Sequence, residues 1–475
     1  MRQLSEFRGP SLEGTFTRRA LLRYGGAASS ALAATYAGGP LWHAASALAG
    51  TVRAPDTLPD PHRPAGTPTS ALPFDHIVIV MMENHSFDNL IGAIAHSGQP
   101  KAQGLKFSSS GVALNSNPGP TGPVRSFPFA TTAQGPHVSQ SWNATHEQID
   151  EGKMDGFVRS VDEVQPMGYW TEDVLPFAYS LARSFTLANG WFCSAPCQTY
   201  PNRRFLMAGT AYGLISTNTE SLLEPPPPNG TIWDRLHHYE ISWRNYFTDL
   251  PSVGVIGSTV EKYPSNLAPI AQFFADCATG SLPSVSLVDP EFGVAGIVGS
   301  SLAQLPALRP IAEKLETTGG DEENPQDMAY GEYWAYKVVN AVLHSPAWPR
   351  TLLIYTYDEH GGYYDHVPPP AAIAPDSIAP KLGPGDVPGG YTIYGPRVPA
   401  VVASPYSKPA SVTNVVHDHT SVLATIEAKW NLPFLTYRDA NAKTVSDFLN
   451  LERAALLDPP TIVEPPAPTG AATSP

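Results

Sequence analysis

The chain has 475 residues, is 42% hydrophobic, and carries 29 Lys+Arg against 43 Asp+Glu for a net charge of −14. A surface of that sign repels nucleic-acid phosphates, which argues against nucleic acid as a partner. The apolar content suits one large core with long loops, since 50 prolines and 39 glycines are present.

Residues 1–49 read as a twin-arginine signal peptide. Thr17-Arg18-Arg19-Ala20-Leu21-Leu22 is followed by a mild Ala- and Gly-rich apolar stretch, and Ala47-Leu48-Ala49 makes a small-x-small cleavage site before Gly50. Losing this segment's five arginines and two glutamates takes the net charge from −14 to −17. The stretch is too weakly apolar, and too broken by Gly39-Pro40, to span a bilayer. The expectation is an exported protein: periplasmic, cell-surface or secreted. Residues 50–72 are a Pro- and Thr-rich linker, 73–457 a single catalytic domain, and 458–475 a Pro-rich tail, disordered or draped.

Residues 74–82 form a nearly continuous apolar, β-branched run, as expected of a strand buried on both faces. Runs at 284–288, 351–357 and 398–404 look alike. Helical spacing of apolar residues predicts helices at 175–185, 331–344 and 421–430. Strands alternating with helices predict an α/β sandwich with a mostly parallel sheet. Loop-rich insertions lie at 92–140 and 219–229. Cys193 and Cys197 are close enough in sequence for one bridge, the alternative being three unpaired buried thiols.

Four segments carry chemistry. Glu83-Asn84 ends the first buried strand, where open α/β sheets place their ligands; the pair supplies either oxygen donors or a cap for the next helix with Ser86. Asp358-Glu359-His360-Gly361-Gly362 ends another. Neighbours on a strand point to opposite faces, so both carboxylates reach one ion only if the chain turns, and the two glycines permit that. Thr199, in Thr199-Tyr200-Pro201-Asn202-Arg203, stands at a helix start, because Pro201 suits a first helical turn. Free N–H groups and the positive dipole end make that an anion site. Thr199 is then a nucleophile or merely a cap. His417-Asp418-His419-Thr420-Ser421 opens the last helix, and His146 is a further candidate.

Glu83-Asn84-His85-Ser86-Phe87-Asp88 resembles the Glu-Asn-Arg-Ser-Phe-Asp motif of the bacterial phosphoesterases. This family includes phosphatidylcholine-hydrolysing phospholipases C and certain acid phosphatases, with plant non-specific phospholipases C as relatives. Tyr357-Asp358-Glu359-His360-Gly361-Gly362 with Tyr364-Asp365-His366-Val367-Pro368-Pro369-Pro370 is similar to a second family motif, and Thr199-Tyr200-Pro201-Asn202-Arg203 to the segment bearing its nucleophile. Asp418-His419-Thr420-Ser421 and Arg438-Asp439-Ala440-Asn441-Ala442 are similar to C-terminal ones. The resemblance spans about residues 74–450. It implies an alkaline-phosphatase-like α/β/α fold and a divalent metal held by Glu83, Asn84, Thr199, Asp358 and Glu359. It also implies Thr199 as nucleophile, His146 or His360 as leaving-group acid, and Asn202, His366, Asp418 and His419 around the phosphate.

Three positions depart from the family pattern. His85 stands for an arginine, and Cys197-Gln198 for Gly-Pro. Asp321-Glu322-Glu323-Asn324-Pro325 stands where members carry one or more histidines. No sulfatase-type Cys/Ser-x-Pro-x-Arg signature surrounds Cys193 or Cys197. The expected activity is an exported phospholipase C acting on phosphatidylcholine-type phosphodiesters, with transient membrane contact. The rivals are a broad-specificity acid phosphatase and an inactive binding protein on the same fold.

Overall fold

The computed structural model describes residues 52–292 and 320–468, so the expected signal peptide lies outside the described residues. The run at 74–82 becomes β1 (His76–Met82), whose residues are buried after the first. The run at 351–357 becomes β6 (Thr351–Tyr357), buried throughout. A strand with no exposed alternate position needs cover on both faces. Each fully buried Val, Ile or Leu contributes about 1.5–3 kcal/mol, which is why these two strands form the centre of the sheet.

Six further strands complete it: β2 (Thr186–Ala188), β3 (Trp243–Phe247), β4 (Leu267–Pro269), β5 (Val285–Asp289), β7 (Ala400–Ala403) and β8 (Ser411–Thr413). Their order is β8-β2-β7-β6-β1-β5-β3-β4. Only β7 runs antiparallel to its neighbours β6 and β2; the other pairings are parallel.

Two sets of helices cover the sheet. The helix at 87–91 is α1 (Phe87–Ile91), and a loop helix, α2 (Trp142–Ile149), follows. In one set α7 (Met328–Leu343) packs on α3 (Pro176–Ser184) and α6 (Ile270–Thr279). In the other, α4 (Thr199–Ala208) packs on α5 (Ile232–His238) and α8 (Thr420–Trp430), and α8 on α9 (Tyr437–Asn441). The result is the α/β/α sandwich anticipated from the alternation of elements. The predicted helices at 175–185, 331–344 and 421–430 correspond to α3, α7 and α8.

Segments read as linker and tail are laid against this core. Thr69 N–H donates to the Lys429 carbonyl at 2.8 Å. Ile462 is buried, and Val463 N–H donates to Ser180 Oγ at 3.0 Å, so the described part of the tail is draped. All three cysteines are unpaired and buried. No helix among the described residues is long and apolar enough to cross a membrane.

Candidate active site

Met82 and Tyr357, the last residues of β1 and β6, are register partners on adjacent parallel strands. Glu83-Asn84 and Asp358-Glu359 therefore leave the sheet side by side at its carboxyl edge. Asn84 takes a left-handed φ of 70°, and its N–H donates to Asp358 Oδ1 at 3.2 Å. Glu359 N–H donates to the same oxygen at 2.7 Å. Gly361 and Gly362, at φ 65° and 76°, make the turn that their residue type permits, and Gly361 N–H donates to Glu359 Oε2 at 2.8 Å. The cap of α1 falls to Ser86, whose side chain accepts from Asn89 N–H, which leaves Glu83 and Asn84 for the site.

The turn is tight. A Cβ on Gly361 would sit 1.9 Å from the Asn84 carbonyl oxygen, at a φ that side chains rarely adopt. Gly361→Ala is expected to cost more than about 1 kcal/mol and to lower activity by displacing Asn84. An unchanged thermal midpoint and unchanged turnover would contradict this.

Thr199 is the first residue of α4, and Gln198 before it provides no side-chain cap. Tyr200 N–H is taken by Thr217 Oγ at 3.2 Å and Pro201 has no N–H, so what the helix start offers an anion is chiefly its positive dipole. Thr199 Oγ donates to Asn84 Oδ1 at 3.4 Å. One turn later Arg203, 1% exposed, reaches back: its Nε donates to Asp358 Oδ2 at 3.0 Å, and its Nη2 lies 3.2 Å from Glu83 Oε1. Arg203 is the cation among the described residues that joins the two strand ends. Its only sequence signal is a charged residue four positions after the threonine.

Burial dominates the electrostatics. It pushes the Glu83 carboxyl up to about 7, with Arg203 opposing and Asp358 adding to the rise. Burial also raises Asp358, again against Arg203. Glu359 is held well above the usual carboxylate range by burial and by the charge of Asp358. One guanidinium does not balance three buried carboxylates.

Of the remaining residues singled out in the sequence, His419 and His360 touch this centre, and Asn202 and Asp418 hold the loop before Thr199. His419 Nδ1 accepts from Trp191 Nε1 at 3.5 Å, and Nε2 donates to the Asp358 carbonyl at 2.7 Å; burial holds its pKa down at about 4. It is neutral at pH 7 and braces Asp358. Asp418 accepts from Ser194 Oγ at 2.8 Å and Thr420 Oγ at 2.6 Å, with Arg438 3.6 Å away. Asn202 holds the loop before Thr199, accepting from Ala195 N–H at 3.0 Å and donating to the Cys197 carbonyl at 2.7 Å. Both shape the Thr199 loop. His366 lies away from these contacts, with Nδ1 2.6 Å from Asp88 Oδ2.

His360 is fully buried. Its Nε2 meets Gln148 Oε1 at 2.7 Å, and its Nδ1 lies 3.1 Å from Glu359 Oε2 without the alignment of a hydrogen bond. Burial lowers its pKa to about 3. His146 is half-buried on α2. Its Nδ1–H donates to the Trp142 carbonyl at 2.7 Å, which leaves Nε2 free to exchange a proton. His85, in place of the family's arginine, contacts Asn89 Oδ1 at 2.7 Å and the Glu322 carbonyl at 2.8 Å, tying segment 321–325 to α1.

The profile of the Phosphoesterase family matches residues 74–433. The chain belongs to the phosphoesterase family. This phosphoesterase is 30% identical over 407 residues to non-specific phospholipase C6 of Arabidopsis thaliana, covering 80% of this chain and 72% of that one. It is 28% identical to phospholipase C B of Mycobacterium tuberculosis, covering 79% and 77%. It is 29% identical to the non-hemolytic phospholipase C of Burkholderia pseudomallei, covering 75% of this chain and 55% of the longer relative. A protein in the alkaline phosphatase superfamily from Vibrio parahaemolyticus superposes at TM-score 0.35 and 10% identity, over 74% and 78% of the two chains. Membership makes the chain a hydrolase of phosphoester bonds.

The phosphoesterase site fits the divalent cation implied by the resemblance. Its side chains are hard oxygen donors, suited to a hard divalent ion. Glu359 Oε1 is buried without a hydrogen-bond partner, and an ion among Glu83, Asn84, Thr199, Asp358 and Glu359 would satisfy it.

Proposed function

We infer that this phosphoesterase is an exported phospholipase C that cleaves phosphatidylcholine-type phosphodiesters through Thr199. The observation that carries the reading is the Thr199 hydroxyl at the start of α4, bonded to Asn84 beside the paired strand-end carboxylates. A divalent cation held by Glu83, Asn84, Thr199, Asp358 and Glu359 would lower the pKa of that hydroxyl and neutralise phosphoryl charge.

Thr199 Oγ–H gives up its proton to solvent, and Oγ attacks phosphorus, forming a P–Oγ bond while the P–O bond to the diacylglycerol breaks. Burial lowers the pKa of His146, so its imidazolium, once formed, readily gives the Nε2 proton to the leaving oxygen; His360 is enclosed between Glu359 and Gln148, which suits it to orienting Glu359. Water then cleaves the P–Oγ bond and releases the phosphorylated headgroup. The α4 N-terminus stabilises the charge that builds on the phosphoryl oxygens, and Arg203 keeps Glu83 and Asp358 aligned.

A lipid rather than a small phosphate is favoured by Leu223, which is 90% exposed. Its segment is pinned beside α4: Thr217 N–H donates to Gln198 Oε1 at 2.9 Å, and Arg204 Nη2 to the Ser221 carbonyl at 2.7 Å. An exposed apolar side chain on a segment held to α4 suits transient contact with a membrane surface. The test uses protein recovered outside the cytoplasm, with its amino terminus expected at Gly50. Diacylglycerol release from phosphatidylcholine vesicles should exceed hydrolysis of p-nitrophenyl phosphate. The reverse preference would make the protein an acid phosphatase, and hydrolysis of neither would make it a binding protein.

A further inference from the structure

Beside Glu83 stands a second group of carboxylates that the preceding chemistry does not use. Glu83 N–H donates to the Asp321 carbonyl at 2.9 Å, bringing segment 321–325 against the end of β1. Ligand oxygens of Glu83, Asp321 and Glu323 lie within 4.8 Å of one another. Carboxylates so placed repel unless protons or a cation stand among them. Asp321 is fully buried, and its Oδ2 has no hydrogen-bond partner.

A separate residue points to the same place. Tyr200, on the first turn of α4, is 3% exposed, and its hydroxyl is also without a partner. Tyr200 follows Thr199, whose Oγ donates to Asn84 Oδ1 next to Glu83, so it belongs to the same end of the sheet.

We propose that Glu83, Asp321 and Glu323 bind a second divalent cation, a hard ion liganded by oxygen, with Glu83 shared between this position and the first. Binding rests on the carboxylate geometry alone; its catalytic use rests on the Thr199 reading.

The test is to strip the full chain of metal, add Mn2+, and count bound ions by equilibrium dialysis with paramagnetic resonance. Two ions per chain are expected, with spin coupling between them. The double variant Asp321→Asn, Glu323→Gln should bind one, uncoupled. A single ion at saturation in the unsubstituted protein overturns the proposal, as does retention of two in the double variant. Should the variant not fold, anomalous diffraction from Mn2+-soaked crystals of the unsubstituted protein decides: a second peak touching Asp321 and Glu323 supports the proposal, and its absence overturns it. If a single ion is found, Glu359→Gln tells the readings apart. Loss of that ion keeps the site around Thr199, and its retention dismisses that site as well.

Discussion

Thr199→Ala is expected to lower turnover of any phosphoester by a factor on the order of 10^6, the scale seen when a catalytic nucleophile is removed. The fold should survive. The Thr199 hydroxyl reaches only Asn84 Oδ1, at a long 3.4 Å, and the cap position of α4 belongs to Gln198. Thermal midpoint and far-ultraviolet dichroism should therefore match the parent within error, while Thr199→Ser keeps the hydroxyl and much of the rate. Undiminished turnover in the alanine variant would end the nucleophile reading.

Arg397→Met should cost about 3–5 kcal/mol, because it leaves buried carboxylates without their cation. Arg397 is fully buried. Its Nη2 lies 3.2 Å from Asp88 Oδ1 and 3.1 Å from Asp365 Oδ2, and its Nη1 donates to the Asn189 carbonyl. Burial pushes Asp365 up to about 6 even with Arg397 opposing and Asp88 adding. Removing the guanidinium raises it further.

The sign of the pH dependence follows from this. A carboxyl raised in the folded state holds its proton there, so stability falls as pH rises from the unfolded value toward the folded one. In the parent that loss is complete near pH 6; in Arg397→Met it continues above pH 6. The stability deficit, measured by urea unfolding, should be larger at pH 8 than at pH 5. A deficit under 1 kcal/mol at pH 8 would show that the two carboxylates are otherwise compensated. The same group explains His366. Its ring is held by Asp88, and the charge of Asp88 raises its pKa against the effect of burial. Its motif position, next to Asp365, serves this buried cluster.

Much of the fold was legible because its signals are local. The apolar β-branched runs at β1 and β6 need no partner to be recognised, and the alternation with α3, α7 and α8 points to an α/β sandwich. The strands that sequence missed have little to read: β2, β4 and β8 have three residues each, and β3 has five that mix aromatic with polar ones. The antiparallel course of β7 is set by the path of the chain between strands rather than by its residues. In the site, Glu83, Asn84, Thr199, Asp358 and Glu359 stood out as polar residues closing apolar runs or opening a helix. The functions of Arg203, Asp321 and Tyr200 did not, since each depends on residues far away in the chain.

By itself, then, the sequence determined which strands are buried, where the glycine turn after Asp358-Glu359 falls, and which family motifs the chain carries, because these depend on neighbouring residues. Tertiary structure alone decided that β1 and β6 lie in register, that one arginine spans Glu83 and Asp358, and that segment 321–325 brings carboxylates to the end of β1. Those outcomes are pairings between elements more than a hundred residues apart, chosen by whole-core packing and by the cost of leaving buried charge unpaired.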